Sequence, residues 1–217
     1  MLAAPLLPWR IFMRAPIVAV VLAACVVAGV AVEAQNAAPA PGTPDPAKVT
    51  GGTYAVDPSH TQVLFGFNHL GYSHNMGIFA GPTGSLVLDP KNPAQAKVDV
   101  TFPVNSIATG VPKFNDHLMS ADFFDAAKFP TATFKSKSVA VDGTGADIVG
   151  DLTIKGVTKE VTLDASLVGV GPNPMSKKET VGFSAITTIK RSDFGLGYGV
   201  PMVGDAVELK IVAAFEK

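Results

Sequence analysis

The chain has 217 residues, with 17 Lys plus Arg against 18 Asp plus Glu, a formal charge of −1 and only 16% charged residues. A 47% hydrophobic fraction with so few charges excludes a disordered acidic or basic tail protein. The absence of a basic surplus argues against nucleic-acid binding by phosphate neutralisation.

Part of the apolar excess is local. Arg10 and Arg14 precede an apolar run over 17–32, which ends in Val32-Glu33-Ala34 before Gln35. Basic, apolar and small-residue regions in that order predict a signal peptide over residues 1–34, cut after Ala34, and hence an exported protein. Met13 stands directly before Arg14, and a start there still leaves a compact signal. Two competing readings are an uncleaved anchor, for which the run is near the lower length limit, and a lipoprotein modified at Cys25 within Leu22-Ala23-Ala24-Cys25. The run continues past Cys25, which favours soluble export. Cleavage removes Arg10, Arg14, Glu33 and the single cysteine, moving the formal charge from −1 to −2 and leaving no thiol chemistry. Residues 35–50, rich in Ala, Pro, Gly, Thr and Asp without an apolar period, read as a flexible linker. One domain follows, over 51–217.

That domain alternates with period two. Strands are predicted at 52–56, 61–69, 85–88, 97–104, 132–140, 146–154, 161–167, 179–190 and 207–215. In 61–69, Val63, Phe65, Phe67 and His69 share a face; in 97–104, Val98, Val100, Phe102 and Val104 do. Val207, Leu209, Ile211, Ala213 and Phe215 form the corresponding face of the last strand. Asp57-Pro58, Asp89-Pro90, Asp142-Gly143, Lys155-Gly156 and Gly171-Pro172 mark turns. Only 111–129 departs: Phe114, Leu118, Phe123 and Phe124, with Asn115 or Asp116 as a cap, suit a short helical insertion. Eight or more short-linked strands must hide their edges, either as a barrel or as a two-sheet sandwich, and a barrel of about eight strands can enclose one small ligand.

Motifs for chemistry are sparse. His60, His69, His74 and His117 lack the i, i+4 spacing of a helical zinc site, so no metal is expected, and no cofactor either. His69 extends an apolar face, either as a hydrogen-bonded core-edge residue or as a polar contact at the mouth of a cavity. Asp116 and His117 could serve Ser120 in a small hydrolase, but neighbours on a helix do not face each other and no G-x-S-x-G elbow accompanies them. Asp57, Ser59 and His60 read as a turn. Gly195-Leu196-Gly197-Tyr198-Gly199 lacks the strand, helix and Lys-Ser or Lys-Thr of a phosphate loop. Thirteen Phe stand against three Tyr and one Trp, and Trp9 lies in the predicted signal. Such an interior suits an apolar ligand, although core packing uses Phe equally well.

Several stretches together resemble the YceI-like family of exported bacterial proteins: Tyr54-Ala55-Val56-Asp57-Pro58-Ser59-His60-Thr61, Phe65-Gly66-Phe67-Asn68-His69-Leu70-Gly71, Asp116-His117-Leu118, Asp122-Phe123-Phe124-Asp125, Gly150-Asp151-Leu152-Thr153-Ile154-Lys155-Gly156 and Arg191-Ser192-Asp193-Phe194-Gly195. The resemblance covers nearly all of 53–216, in order. Two positions depart from the family pattern, Asn115 where an Arg is usual and Pro82 after the Gly77-Ile78-Phe79 hairpin segment. The resemblance implies an all-β fold, a single antiparallel lipocalin-like barrel of about eight strands with a short helical insertion near 111–129, whose lumen holds a polyisoprenoid or quinone-like lipid without catalysis. On that basis Phe65, Phe67, Phe102, Phe134 and Phe183 are expected to face the lumen, Phe114, Leu118, Phe123 and Phe124 to form a lid, and His69 and His117 to meet a headgroup. Nucleic acid is not an expected partner; transient membrane contact and a homodimer are left open. The alternatives are a packed-barrel envelope stress or interaction protein and the hydrolase using Asp116 and His117.

Overall fold

Alternation of apolar and polar residues resolves into ten antiparallel strand segments and one helix in a computed structural model that describes residues 40–217. The predicted signal peptide and residues 35–39 lie outside the described residues. The elements are β1 (Gly52–Val56), β2 (Gln62–His69), β3 (Ser73–Ala80), β4 (Thr83–Leu88), β5 (Lys97–Pro103), α1 (Pro112–Met119), β6 (Thr131–Asp142), β7 (Gly145–Ile154), β8 (Val157–Pro172), β9 (Glu179–Lys190) and β10 (Val203–Glu216).

Closure decides between barrel and sandwich. The strand order runs β1-β4-β5-β6-β7-β8-β9-β10, and β10 returns to β1 through the pairs Ala55↔Glu216 and Val56↔Phe215. Farther along, the same edge of β10 pairs with β2, from Val212↔Gln62 to Val203↔His69. β1 and β2 are therefore one stave interrupted at residues 57–61, and β3 and β4 a second interrupted at Gly81 and Pro82. Eight staves close an antiparallel barrel, as the resemblance implied. At the first interruption the buried Thr61 hydroxyl keeps β10 satisfied, accepting from Ala214 N–H (3.0 Å) and facing Ala214 O (3.2 Å). Asp57 caps the turn through Ser59 N–H (2.8 Å) and His60 Nδ1 (2.6 Å).

Three local expectations need correction. β3 was not predicted, because its inner-face positions are Asn75, Gly77 and Phe79 and the apolar period is broken at two of the three. Gly77 is small for a reason: a Cβ there would lie 2.5 Å from Phe65 Cζ, so the glycine makes room for a ring from the neighbouring strand. Gly150 does the same for Phe134 across the β6–β7 pair, again at 2.5 Å. Second, the described part of the predicted linker is not free. β8 outlasts β7, whose last pair is Gly145↔Ser166, and Thr43 covers the exposed edge by exchanging hydrogen bonds with Val170 (3.1 and 2.9 Å). Val49 is buried in the core. Third, neither Asn115 nor Asp116 caps α1. The helix begins at Pro112 with Val111 as its cap residue, while Asn115 Oδ1 accepts from Thr109 N–H (2.9 Å) and Thr109 hydroxyl (2.7 Å), pinning the loop before the helix.

The core divides between the two ends. Val49, Tyr54, Val56, Leu86, Ala96, Val170, Val181 and Phe215 close one end; Phe65, Ile107, Leu118, Ile154, Ile189, Phe194, Leu196 and Val207 pack at the other, beneath α1. At the closed end the Tyr54 hydroxyl donates to Glu179 Oε1 (2.8 Å) and accepts from Gly51 N–H (3.1 Å), while Thr50 donates its hydroxyl (2.6 Å) and N–H (3.0 Å) to the same carboxylate. Lys217 Nζ lies 5.1 Å from the Tyr54 ring centre and bonds Thr50. This latch ties the start of β1 to β9 and to the C-terminus.

Candidate ligand-binding cavity

Because side chains alternate along each strand, each stave turns one face inward, in most of them the more apolar one, and the two core clusters leave a space between them. The result is a cavity of about 560 Å³, within the range of small-molecule sites. Val63, Phe65 and Phe67 line it from β2, Val98, Val100 and Phe102 from β5, and Ala132 and Phe134 from β6. Leu163, Ala165 and Leu167 contribute from β8, Phe183, Ala185 and Ile189 from β9, and Leu209, Ile211 and Ala213 from β10. Val49, Leu88 and Ala96 line one end, together with the exposed Val141, Gly143 and Thr144 of the β6–β7 hairpin. Phe114, His117 and Leu118 of α1 cover the other end with Phe123 and Phe124 from the turns that follow.

The lid is aromatic and continuous with the wall. Phe114 meets Phe67 (6.4 Å between centroids), Phe124 meets Phe79 edge-on (5.5 Å), and Phe79 meets Phe65 (5.5 Å). His117 stands edge-to-face with Phe123 (5.0 Å) and Tyr198 (5.5 Å), and its Nε2 pairs with Asp122 Oδ2 at 3.1 Å. His69 and Asn75 line the same mouth.

One buried charge supports this end. The Arg191 guanidinium donates from Nε to Gly204 O (2.8 Å), from Nη1 to Leu196 O and to Tyr198 O (2.9 Å), and from Nη2 to Val203 O (2.9 Å). Burial lowers its pKa, and nearby Asp205 opposes that shift. Asp205 in turn accepts from Ser192 hydroxyl (2.7 Å) and N–H (2.9 Å), bonds that hold its carboxyl below the usual range. The glycine-rich segment rejected as a phosphate loop is thus a loop wound around Arg191, presenting Tyr198 to the mouth.

All eleven residues singled out from the sequence, Phe65, Phe67, His69, Phe102, Phe114, His117, Leu118, Phe123, Phe124, Phe134 and Phe183, border this one cavity. The Asp116–His117–Ser120 grouping, disfavoured from the sequence, does not assemble: His117 takes Asp122 as its partner, and the Ser120 hydroxyl donates to His117 O (2.7 Å). Sequence reasoning passed over Asn75, Arg191, Tyr198, Leu209 and Ile211. The last two continue a visible alternating face; Arg191 stood only within a motif of the resemblance, without a role, and Tyr198 carries no signal until the loop is folded.

The YceI-like domain model matches residues 54–215. The chain belongs to the YceI-like family. Protein YceI of Escherichia coli O17:K52:H18 (strain UMN026) is 45% identical over 152 residues, 70% of this chain and 79% of the relative. Among solved structures, BcnA of Burkholderia cenocepacia superposes with a TM-score of 0.66 at 29% identity, covering 73% of this chain and 98% of BcnA. A polyisoprenoid binding domain from Saccharophagus degradans, implicated in plant cell wall breakdown, shares the fold at a TM-score of 0.56 and 19% identity, covering 75% of this chain and 97% of that domain. In this YceI-like chain, no helix among the described residues is long and apolar enough to cross a membrane, and the described residues hold no cluster of potential metal ligands.

Proposed function

We propose that this YceI-like protein is an exported periplasmic carrier that sequesters one long-chain polyisoprenoid or quinone-like amphiphile in its barrel. The observation that carries this reading is the 560 Å³ cavity with a predominantly hydrocarbon wall and His69, Asn75, His117 and Tyr198 grouped at its α1 end. Burying roughly 400 Å² of ligand chain contributes on the order of 10 kcal/mol before association and ordering costs, so affinity needs few directed bonds. Phe65, Phe67, Phe102, Phe134 and Phe183 grip the chain, the lid residues Phe114, Leu118, Phe123 and Phe124 cover it, and His69 and His117 meet the headgroup. The polyisoprenoid binding of the Saccharophagus degradans domain fits such a chamber, and the reading assigns no residue a catalytic role.

The alternative of a fully packed envelope module sits poorly with a cavity of this size. Organic extraction of the purified protein followed by mass spectrometry tests the carrier reading. A co-purifying isoprenoid, or stoichiometric uptake of an isoprenoid quinone from detergent micelles, is the expected result; an empty protein that takes up neither isoprenoid alcohols nor quinones overturns it.

A further inference from the structure

Charge is unevenly spread over this barrel. Residues 61–88 contain no Asp, Glu, Lys or Arg, and neither do residues 194–204, in a chain that is 16% charged. These two segments meet at the mouth of the cavity: Val203 pairs with His69, and Gly204 packs so closely on Asn68 that a Cβ would lie 3.1 Å from Asn68 O. Their tips are apolar and exposed. Tyr72, in the β2–β3 turn, is 90% exposed and Met202 is 72% exposed; Leu70 and Tyr198 are exposed beside them. Tyr198 also lines the cavity, so the exposed apolar rim and the lumen form one continuous surface. The other side of the same end is charged, with Lys113 and Asp116 exposed on α1 and Asp122 just after it, so the uncharged surface is one side of the rim. The opposite end carries Asp142, Asp147 and Asp164 on and beside the β6–β7 hairpin, all exposed.

We propose that this uncharged side of the rim docks the barrel on a lipid bilayer, with Leu70, Tyr72, Tyr198 and Met202 in the interface and the cavity mouth facing the acyl chains. Tyrosines place an apolar ring and a polar tip at headgroup depth, while Leu and Met supply area to the hydrocarbon boundary. With no basic cluster in either segment, attraction comes from apolar burial, and docking does not require anionic lipid. The inference rests on the carrier reading for its purpose, the transfer of a water-insoluble ligand, but its physical test is separate.

Trp9 is the only tryptophan and lies in the predicted signal peptide, so a single introduced indole reports its own position. Protein expressed from the full-length sequence and purified after export is mixed with phosphatidylcholine vesicles, with or without dibrominated acyl chains. Tyr72→Trp is expected to shift to the blue and to be quenched at least about twofold by the brominated lipid, with little change when salt is raised. Met175→Trp, an 89% exposed position in the β8–β9 turn at the other end, is expected to stay unquenched. Tyr72→Asp with Met202→Asp is expected to lower vesicle sedimentation by about tenfold while leaving isoprenoid quinone uptake from micelles intact, since neither residue lines the cavity. No quenching at Tyr72→Trp, equal quenching at Met175→Trp, or binding confined to anionic vesicles at low salt overturns the docking proposal. Failure of the unsubstituted protein to take up quinone from micelles counts against the carrier reading alone, because the quenching arm is read without any ligand.

Discussion

Arg191 shows how a single side chain organises the mouth. Its guanidinium reaches four main-chain carbonyls, those of Val203 and Gly204 at the start of β10 and those of Leu196 and Tyr198 in the loop that carries Tyr198 to the lid. An ammonium cannot reproduce that fork. Arg191→Lys is expected to cost about 2–3 kcal/mol in urea unfolding, the penalty of leaving buried carbonyls unmatched. Tyr54 plays the matching part at the closed end. Burial, then the hydrogen bond to Glu179, pushes its pKa up to about 12. A phenol whose folded pKa is raised contributes fully below its ordinary pKa of about 10 and loses that contribution as pH rises from there through 12. Tyr54→Phe should therefore lower stability by about 2 kcal/mol at pH 7 and shrink the alkaline loss seen in the parent; an unchanged alkaline limb would count against this latch.

At the scale of elements, the barrel is sized by pairs of large and small residues across neighbouring strands. Gly150 yields to Phe134, and a methyl there would also press to 2.6 Å on Lys135 O, a backbone atom with no rotamer to escape into. Gly150→Ala is expected to destabilise by about 1–3 kcal/mol in thermal or urea unfolding. Ala165 and Ala185 are directly paired across β8 and β9 and both line the cavity. Ala185→Phe directs a ring into open space, so the fold should persist while isoprenoid uptake from micelles falls by about tenfold or more, as bore is lost to the added ring. Unaltered uptake would place the ligand elsewhere.

Over the whole molecule, four hydrogen-bonded carboxylates, Glu179, Asp57, Asp205 and the exposed Asp89, are held below their ordinary range and set the acid limit. Burial raises Glu179, but hydrogen bonds from Thr50 and Tyr54 prevail and hold it below its ordinary 4.5. Asp57 is raised by burial and then lowered further by His60 and Ser59, and Asp205 is lowered by Ser192, both ending below 3.8. Depressed carboxylates contribute stability that is complete above their unfolded values and disappears as pH falls through the folded ones. The urea midpoint should thus be level from pH 7 to about pH 5 and fall steeply below about pH 4. Glu179→Gln should be less stable at pH 7 and flatten part of that fall.

Much of the barrel was legible in the sequence because alternation is a local property: each of Val63, Phe65 and Phe67 announces its face through its neighbours two residues away. The same periodicity put the Phe set on one surface, and 111–129 stood out because its apolar spacing changed. β3 stayed hidden, since Gly77 is explained only by Phe65 on another strand. The strap at Thr43 likewise depends on where β7 stops beside β8, and His117 found Asp122 rather than Asp116 because the chain turns after α1. By itself, then, the sequence determined which residues point the same way and how few charges they carry. Closure through the Val56↔Phe215 pair, the open bore between two core clusters and the uncharged rim shared by residues 61–88 and 194–204 were decided only by tertiary structure, because each depends on segments far apart in the chain meeting at a register that no local pattern specifies.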